Sequence, residues 1–452
     1  MNENLEDTIA AIATPPGEGG VAIIRLSGKE ALAIANKIFS RSVQNFTTHK
    51  AHYGKVLDFK GSAIDEVLLL PMKAPRSYTG EDVVEIHCHG GRLITQKVLK
   101  RCLEAGARAA GPGEFTLRAF INGKMDLSQA EAVQSLISAQ NENALHSAKA
   151  QLEGALSAKI QEFQVELSKI AAIFEAWIDY PEEGLAFASF EEIQLQLEKI
   201  CERMNVFIES FSEGKLYKEG VSLCLIGAPN VGKSSLMNLL LGKERVIVTN
   251  IAGTTRDLIE EEFKIKDLHF HITDTAGIRL TDEIIEKEGI RRSLNKKDEA
   301  DLTLFVLDST RPLNSDERRL LQEANFEKTL VIFNKTDLSS HPSLLLEKLQ
   351  ALPISAKKEE GIISLKDAIY KKAITKKREG ETVILTEERH FKALKEARDS
   401  LDKVIQGLID EESPEFIVMD IRSCLFSLGQ IVGRDVSEDI LSAIFSNFCV
   451  GK

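Results

Sequence analysis

Over roughly the first 120 residues, short apolar and β-branched runs alternate with polar punctuation. Residues 9–13, 21–26, 66–71 and 83–88 read as strands, separated by helical stretches and turns such as Pro15-Pro16-Gly17. That pattern predicts a small α+β domain. The period then lengthens. Ser128-Gln-Ala-Glu131 has capping-box spacing and predicts helical structure to about Tyr180, with Gly154 its only glycine, until Asp179-Tyr-Pro-Glu-Glu183 breaks the run.

Three amphipathic stripes follow. Ile193, Leu197, Ile200, Met204, Phe207, Ile208 and Phe211 form one, and Phe391, Leu394, Leu401, Val404, Ile405 and Leu408 a second. Val436, Ile440, Leu441, Ile444, Phe445 and Phe448 make the third. Such faces need apolar partners, so helices before residue 214 are expected to pack on helices after residue 384. The α/β-patterned segment between them then reads as an insertion into a discontinuous helical domain.

Composition agrees with a folded, multidomain chain: 452 residues, 43% hydrophobic and 28% charged. No apolar run approaches the length of a membrane span, and the acidic start Met-Asn-Glu-Asn-Leu-Glu-Asp is unlike a basic secretory leader. A cytoplasmic address is expected. Six cysteines without CxxC spacing fit reduced thiols. The net charge of −12 disfavours indiscriminate nucleic-acid binding, so any RNA contact should be local or shared with a partner. Arg291-Arg292, Lys296-Lys297 and Lys376-Lys377-Arg378 are small basic clusters, and such runs are most often just solvated helix faces.

The chemistry concentrates in the inserted segment. A buried-strand run at 221–226 feeds Gly227-Ala-Pro-Asn230-Val231-Gly232-Lys233-Ser234, and a helix is expected from Ser235, which is the strand–loop–helix setting a P-loop needs. Glycines let backbone N–H groups surround phosphate oxygens. Lys233 adds a point charge and Ser234 a hydroxyl for Mg2+, at a helix N-terminus whose field favours anions. Downstream, Asp274-Thr275-Ala276-Gly277 offers an aspartate for the magnesium shell and a glycine to sense a γ-phosphate. Between them, Thr249-Asn250-Ile251-Ala252-Gly253-Thr254-Thr255 lies in a polar stretch able to close on that phosphate, a threonine hydroxyl on Mg2+. Asn334-Lys335-Thr-Asp337 ends another buried strand, and its carboxylate suits guanine's N–H donors, whereas adenine would leave it badly paired. Ser355-Ala356-Lys357 supplies a last base-side contact. Each tetrapeptide alone is a turn; in this order they specify GTP.

With these motifs the sequence resembles the MnmE (TrmE) family of tRNA modification GTPases along essentially its whole length. The resemblance rests on Ala13-Thr-Pro-Pro-Gly17 through Arg25-Leu-Ser-Gly28, Tyr78-Thr-Gly-Glu-Asp-Val-Val-Glu85, His89-Gly-Gly91, Gly113-Glu-Phe-Thr-Leu-Arg-Ala-Phe120, the P-loop with Asn230, Gly253-Thr-Thr-Arg-Asp257 and Cys449-Val-Gly-Lys452. Glu18, where many relatives are basic, and Val450, in place of isoleucine, are its departures. The resemblance implies a multidomain α/β and α architecture. An N-terminal α+β domain of folate-binding and dimerising type spans 1–121, a helical domain 122–217 and 377–452, and an inserted P-loop GTPase domain, doubly wound α/β, 218–376.

It also implies a homodimer working with an FAD-dependent MnmG-type partner, as a heterotetramer, on the wobble uridine of certain tRNAs. A 5-formyl-tetrahydrofolate or related reduced folate would be held by Arg25, Glu85, Lys124 and Lys452. Glu85 can accept from pterin N–H groups, and the cations suit carboxylate or carbonyl oxygens; without the resemblance each would read as a surface charge. Ile278 stands where Ras-like enzymes place a water-orienting glutamine, and the resemblance assigns that role to Glu286. Magnesium falls to Ser234 and Thr255. No arginine finger is evident, and the resemblance puts K+ in its place, ligated by Asn230, Thr249, Ile251 and Thr254.

Two features stay open at this level. His87 and His89 share a strand face and suit either a metal without evident further ligands or a packed or exposed pair. Cys449 reads as a small buried residue in preference to a reactive thiol. A regulatory or ribosome-assembly GTPase that alters no base is the alternative function; a helical scaffold with a vestigial nucleotide site is remote, given Lys233, Ser234, Asp274 and Asp337.

Overall fold

The computed structural model describes residues 6–180, 189–242, 261–272, 300–338, 349–374, 384–434 and 436–452. They divide into two compact units, one drawn from residues 1–137, 148–205 and 389–452, the other from 138–147 and 206–388.

The first unit opens with strands β1 (Ile9–Ile12), β2 (Val21–Ser27), β3 (His52–Leu57), β4 (Ala63–Met72), β5 (Val83–His89) and β6 (Arg108–Ala109). They form one sheet in the order β3-β4-β5-β2-β1-β6, antiparallel except for β1 with β6. Helices α1 (Ala31–Ile38) and α2 (Arg92–Glu104) cover a face whose alternating residues, Ile24, Leu26, Val67, Leu69 and Ile86, are buried with Ile34, Ile38 and Val98. The sequence reading lacked β3 and β6. In the edge strand β3 the apolar Tyr53, Val56 and Leu57 do not alternate with polar residues, and β6 has only two positions in which to show a period.

After α3 (Glu114–Ile121), the long helical run is three helices: α4 (Leu127–Ser138), α5 (Glu142–Leu152) and α6 (Ala155–Asp179). The expected capping box is shifted by two residues. Asp126 Oδ1 accepts from Gln129 N at 3.0 Å while Gln129 Oε1 accepts from Asp126 N at 2.9 Å, leaving Ser128 buried inside α4. Gly154, at φ 90°, sits at the N-cap of α6, a left-handed conformation that glycine adopts freely. The first amphipathic stripe is likewise split at Ser210 into α7 (Phe190–Glu209) and α8 (Phe211–Glu219).

Within the second unit, strands β7 (Val221–Ile226), β8 (Glu261–Ile265), β9 (Leu268–Ile272), β10 (Leu302–Asp308), β11 (Thr329–Asn334) and β12 (Leu352–Pro353) form a sheet in the order β12-β11-β10-β7-β9-β8. All neighbours are parallel except β8 with β9. Every residue of β10 is buried, as a central parallel strand requires. Leu304 and Val306 face α9 (Lys233–Leu241) and α11 (Ile362–Ala373), and Phe305 and Leu307 face the side of α10 (Ser315–Gln322). Helices on both faces make this the doubly wound fold expected of a P-loop domain.

The chain returns to the first unit as α12 (Glu388–Ile409), α13 (Pro414–Val432) and α14 (Glu438–Ser446). α13 lies along α6, and α14 contributes Phe445 to a cluster with Leu117, Leu127, Ala130, Val133 and Phe448. The helical domain is thus discontinuous in sequence. α13 escaped the sequence reading although Ser413-Pro414 marks its start and Ile417, Ile421, Cys424, Leu428 and Ile431 are its buried stripe.

Candidate functional site

Switch points of an open parallel sheet place loops at the carboxyl ends of the strands, and here the loops after β7, β10, β11 and β12 converge. The loop after β7 starts at Gly227, where a Cβ would meet Val306 O at 2.3 Å, and ends at Gly232, φ 97°, where one would meet Asn334 Nδ2 at 2.2 Å. Only glycine fits either position. Asn230 is also left-handed, at φ 61°. Val231 is buried, which anchors the loop between its two ends.

Gly232 is the N-cap of α9, so Lys233, Ser234 and Ser235 form its first turn, with the exposed Ser234 and Ser235 hydroxyls at the helix mouth. Lys233 Nζ donates to Gly227 O at 2.7 Å and Ala228 O at 2.9 Å, holding its charge over the loop. Backbone N–H groups, an ammonium and a hydroxyl are a donor set that suits a polyphosphate, and the Ser234 hydroxyl lies where the sequence reading expects a contact to its metal.

The base side is tied to this loop. Asn334 Nδ2 donates to Val231 O and its Oδ1 accepts from Ala356 N, both at 2.9 Å, so one buried amide joins three of the motifs. Lys335, at φ 66°, pairs its Nζ with Asp308 Oδ2 at 2.6 Å. Burial resists ionisation of Asp308, but its bonds from Lys335 and Thr310 prevail and hold its pKa below the usual value. Asp308 was missed in the sequence; the available signal was its place at the end of a buried strand. Asp337 Oδ1 accepts from Ser355 Oγ at 2.7 Å, a bond that lowers its pKa with help from Lys358 and Lys357. The carboxylate is ionised and oriented for the donor edge of guanine. Thr249, Asn250, Ile251, Ala252, Gly253, Thr254, Thr255, Asp274, Thr275, Ala276, Gly277 and Glu286 lie outside the described residues.

A second polar cluster lies in the first unit. Arg25 on β2 is cross-strand to Glu85 on β5, and its Nε and Nη2 each lie 2.9 Å from Glu85 Oε1. Arg25 Nη1 donates to Gly451 O at 3.3 Å, and the guanidinium lies 5.6 Å from the Tyr78 ring and 5.7 Å from that of Phe115. Lys452 joins it, with burial and then the Arg25 charge lowering its ammonium pKa. The fourth expected member, Lys124, is exposed and donates to Pro75 O at 3.1 Å, three residues before Tyr78. Arg25 and Glu85 therefore meet at the Gly451 carbonyl, with half-buried Lys452 next in the chain, and Lys124 is bonded to the loop that carries Tyr78.

Two readings of neighbouring residues are settled here. Cys449 is exposed, against the expectation of burial, because it follows the last turn of α14 while Phe445 and Phe448 take the buried positions. His87 Nε2 lies 3.2 Å from Glu85 Oε2 and His89 Nδ1 2.7 Å from Asp65 Oδ1, so each histidine serves a different carboxylate. Among the described residues, no group of three or more metal-ligating side chains is assembled, and no helix is long and apolar enough to cross a membrane.

The family profile of the MnmE helical domain matches residues 127–449, and that of the GTP-binding protein TrmE N-terminus matches residues 8–124. The tRNA modification GTPase MnmE of Protochlamydia amoebophila is 51% identical over 450 residues, covering 99% of this chain and 98% of that one. The proteins of the same name from Chlamydia pneumoniae and Geobacter metallireducens are 45% and 43% identical, each across 99% of this chain and 99% and 100% of their own. With a guanine-selective P-loop site inserted between the two parts of a helical domain, and relatives matched from end to end, the chain belongs to the MnmE (TrmE) family of tRNA modification GTPases, and it is a GTPase.

Proposed function

We propose that this chain is the GTP-hydrolysing subunit of a tRNA-modifying complex. With an FAD-dependent MnmG-type partner it adds an aminomethyl or carboxymethylaminomethyl group to C5 of the wobble uridine. The working assembly is a homodimer joined by two partner chains. A reduced folate of the 5-formyl-tetrahydrofolate type is held by the N-terminal domain. Hydrolysis is assigned to Glu286, with Mg2+ on Ser234 and Thr255 and K+ on Asn230, Thr249, Ile251 and Thr254. The domains are 1–121, 122–217 with 377–452, and the inserted 218–376.

The observation that carries this reading is the meeting of Arg25 and Glu85 with the C-terminal Gly451 carbonyl, which lies 426 residues from Arg25 in sequence. A GTPase switch needs no such cluster. A pterin matches it, since its ring presents N–H donors to a carboxylate and its carbonyl and glutamate oxygens suit cations, with aromatic faces at Tyr78 and Phe115 alongside. Removing residues 449–452 is expected to lower reduced-folate affinity by about 10-fold or more, the loss of about 1.4 kcal/mol, while GTP affinity stays unchanged. Equilibrium titration of both ligands reads this out. Unchanged folate affinity would take the C-terminus out of the site, and unchanged wobble-nucleoside composition in cells lacking the protein would overturn the modification itself.

A further inference from the structure

Asp337 can read a base only if the turn that carries it is fixed. Leu338 N donates to Lys335 O at 3.0 Å, which closes a turn over residues 335–338 with Asp337 in its third position. Thr336 N donates to Ile354 O at 3.2 Å, and Ser309 N donates to Asn334 O at 3.0 Å just before the turn begins. Lys335, which opens the turn, has φ 66°. That left-handed conformation is disfavoured for a residue with a Cβ, so something outside the local backbone has to hold it.

The hold comes from the neighbouring strand. Asp308, the last residue of β10, is the register partner of Asn334, the last of β11, and its Oδ2 takes Lys335 Nζ at 2.6 Å. Its other oxygen, Oδ1, accepts from Thr310 N at 2.9 Å and Thr310 Oγ1 at 2.6 Å. The carboxylate is therefore buried with both oxygens engaged inside the protein, and it cannot rotate without breaking one set of bonds. An ion pair needed only to join β10 to β11 could sit anywhere along their six paired positions. This one sits two residues from Asp337.

We propose that Asp308 is a positioning residue that determines base specificity: by holding Lys335 in its left-handed conformation it aims the Asp337 carboxylate, and so sets the discrimination in favour of a purine bearing a 2-amino group. The inference rests on the reading of Asp337 as the acceptor for guanine's two donors. Accepting from the ring N–H and the exocyclic amine together requires the carboxylate to meet the base edge-on. One oxygen is already steadied by Ser355 Oγ at 2.7 Å, and the turn supplies the rest of the aim. A loosened turn gives up the second of the two bonds before the first.

Equilibrium titration of the full-length chain with GDP and IDP tests this, because hypoxanthine keeps the ring N–H and lacks the amine. The unsubstituted protein should prefer GDP by at least about 10-fold, the worth of one hydrogen bond to a charged group. Asp308→Asn keeps the shape but leaves one acceptor oxygen for two sets of donors. It should narrow the preference to about 3-fold or less, with the loss falling on GDP. Lys335→Met removes the other end of the pair and should narrow it to a similar degree. The two substitutions together should do no more than either alone, since both break one link. A merely destabilised protein would lose affinity for both nucleotides by the same factor, so an equal loss overturns the proposal. An unchanged preference in either single variant, or additive effects in the pair, would overturn it as well. Equal binding of GDP and IDP by the unsubstituted protein is a separate result, and it would remove the Asp337 reading beneath this one.

Discussion

At the scale of single residues, the nucleotide site was legible because each of its motifs is local and their order is diagnostic. Gly227, Gly232, Lys233, Asn334 and Asp337 sit where the strand–loop–helix reading places them, and the two glycines prove to be required by approaches of 2.3 and 2.2 Å. Pairings across distance left no such trace. Asp308 with Lys335, or Arg118 with Asp7 and Glu81, are ordinary charges in a one-dimensional reading until the fold joins them. The assignment of Asp337 makes a sharp expectation. Asp337→Asn loses the carboxylate that accepts from guanine, and hydrogen bonds to a charged group are worth about 1.5–3 kcal/mol each. Two of them predict a fall in GTP affinity of about 100-fold or more, and a gain for xanthosine nucleotides, whose 2-oxo group accepts from an amide. Calorimetric titration with both nucleotides decides it; a variant that still prefers GTP strongly would take Asp337 off the base.

At the scale of elements, periodicity found most helices and misplaced their ends. Stripes survive a break such as Ser210 because the apolar face continues across it, and capping boxes with adjacent possible registers differ only in which hydroxyl or carboxylate reaches the backbone. What fixes one element against another is again non-local. Arg389, at the start of α12, donates to Glu131 on α4 through Nε and Nη2 at 2.8 and 2.7 Å and to the Gln430 and Ile431 carbonyls at the end of α13, while His390 Nε2 lies 2.7 Å from Glu131 Oε2. Burial opposes ionisation of Glu131, but His390 and Arg389 outweigh it and bring its pKa to about 2 from 4.5. A carboxyl depressed on folding stabilises fully above its unfolded pKa, and that stability is lost as pH falls from about 4.5 through about 2. Glu131→Gln should therefore cost about 3–5 kcal/mol at neutral pH, the penalty for breaking a buried pair, seen as a lower urea midpoint. The gap between variant and unsubstituted protein should narrow across that acidic window. A constant gap from neutral pH to pH 2.5 would mean that the Glu131 charge contributes nothing to holding these three helices.

At the scale of the whole molecule, the insertion was legible because two sets of unpartnered stripes flank an α/β pattern, and helices cannot leave such faces in water. Catalysis by the assembly is a different matter, since hydrolysis must draw on groups that a single P-loop does not supply. Ile278 follows Gly277 and its side chain has no hydrogen bond to offer an attacking water, so the proposed function gives the water-orienting role to the Glu286 carboxylate. A positive charge is still needed beside the developing phosphate charge, where an arginine finger is worth about 10³–10⁵ in rate. Asn230 lies in the P-loop at φ 61°, and under the proposed function its amide oxygen, with oxygens of Thr249, Ile251 and Thr254, is a hard donor set for a monovalent cation. If that cation completes the site as two GTPase domains meet, its radius matters and its charge alone does not suffice. Turnover of GTP should then be at least about 10-fold faster in potassium than in sodium at equal ionic strength, a small part of what a finger supplies. Glu286→Ala should abolish most of the turnover in either salt yet bind GTP with near-normal affinity. Equal rates in the two salts would dispose of the cation, and near-normal turnover by the Glu286 variant would dispose of the carboxylate, each without disturbing the other.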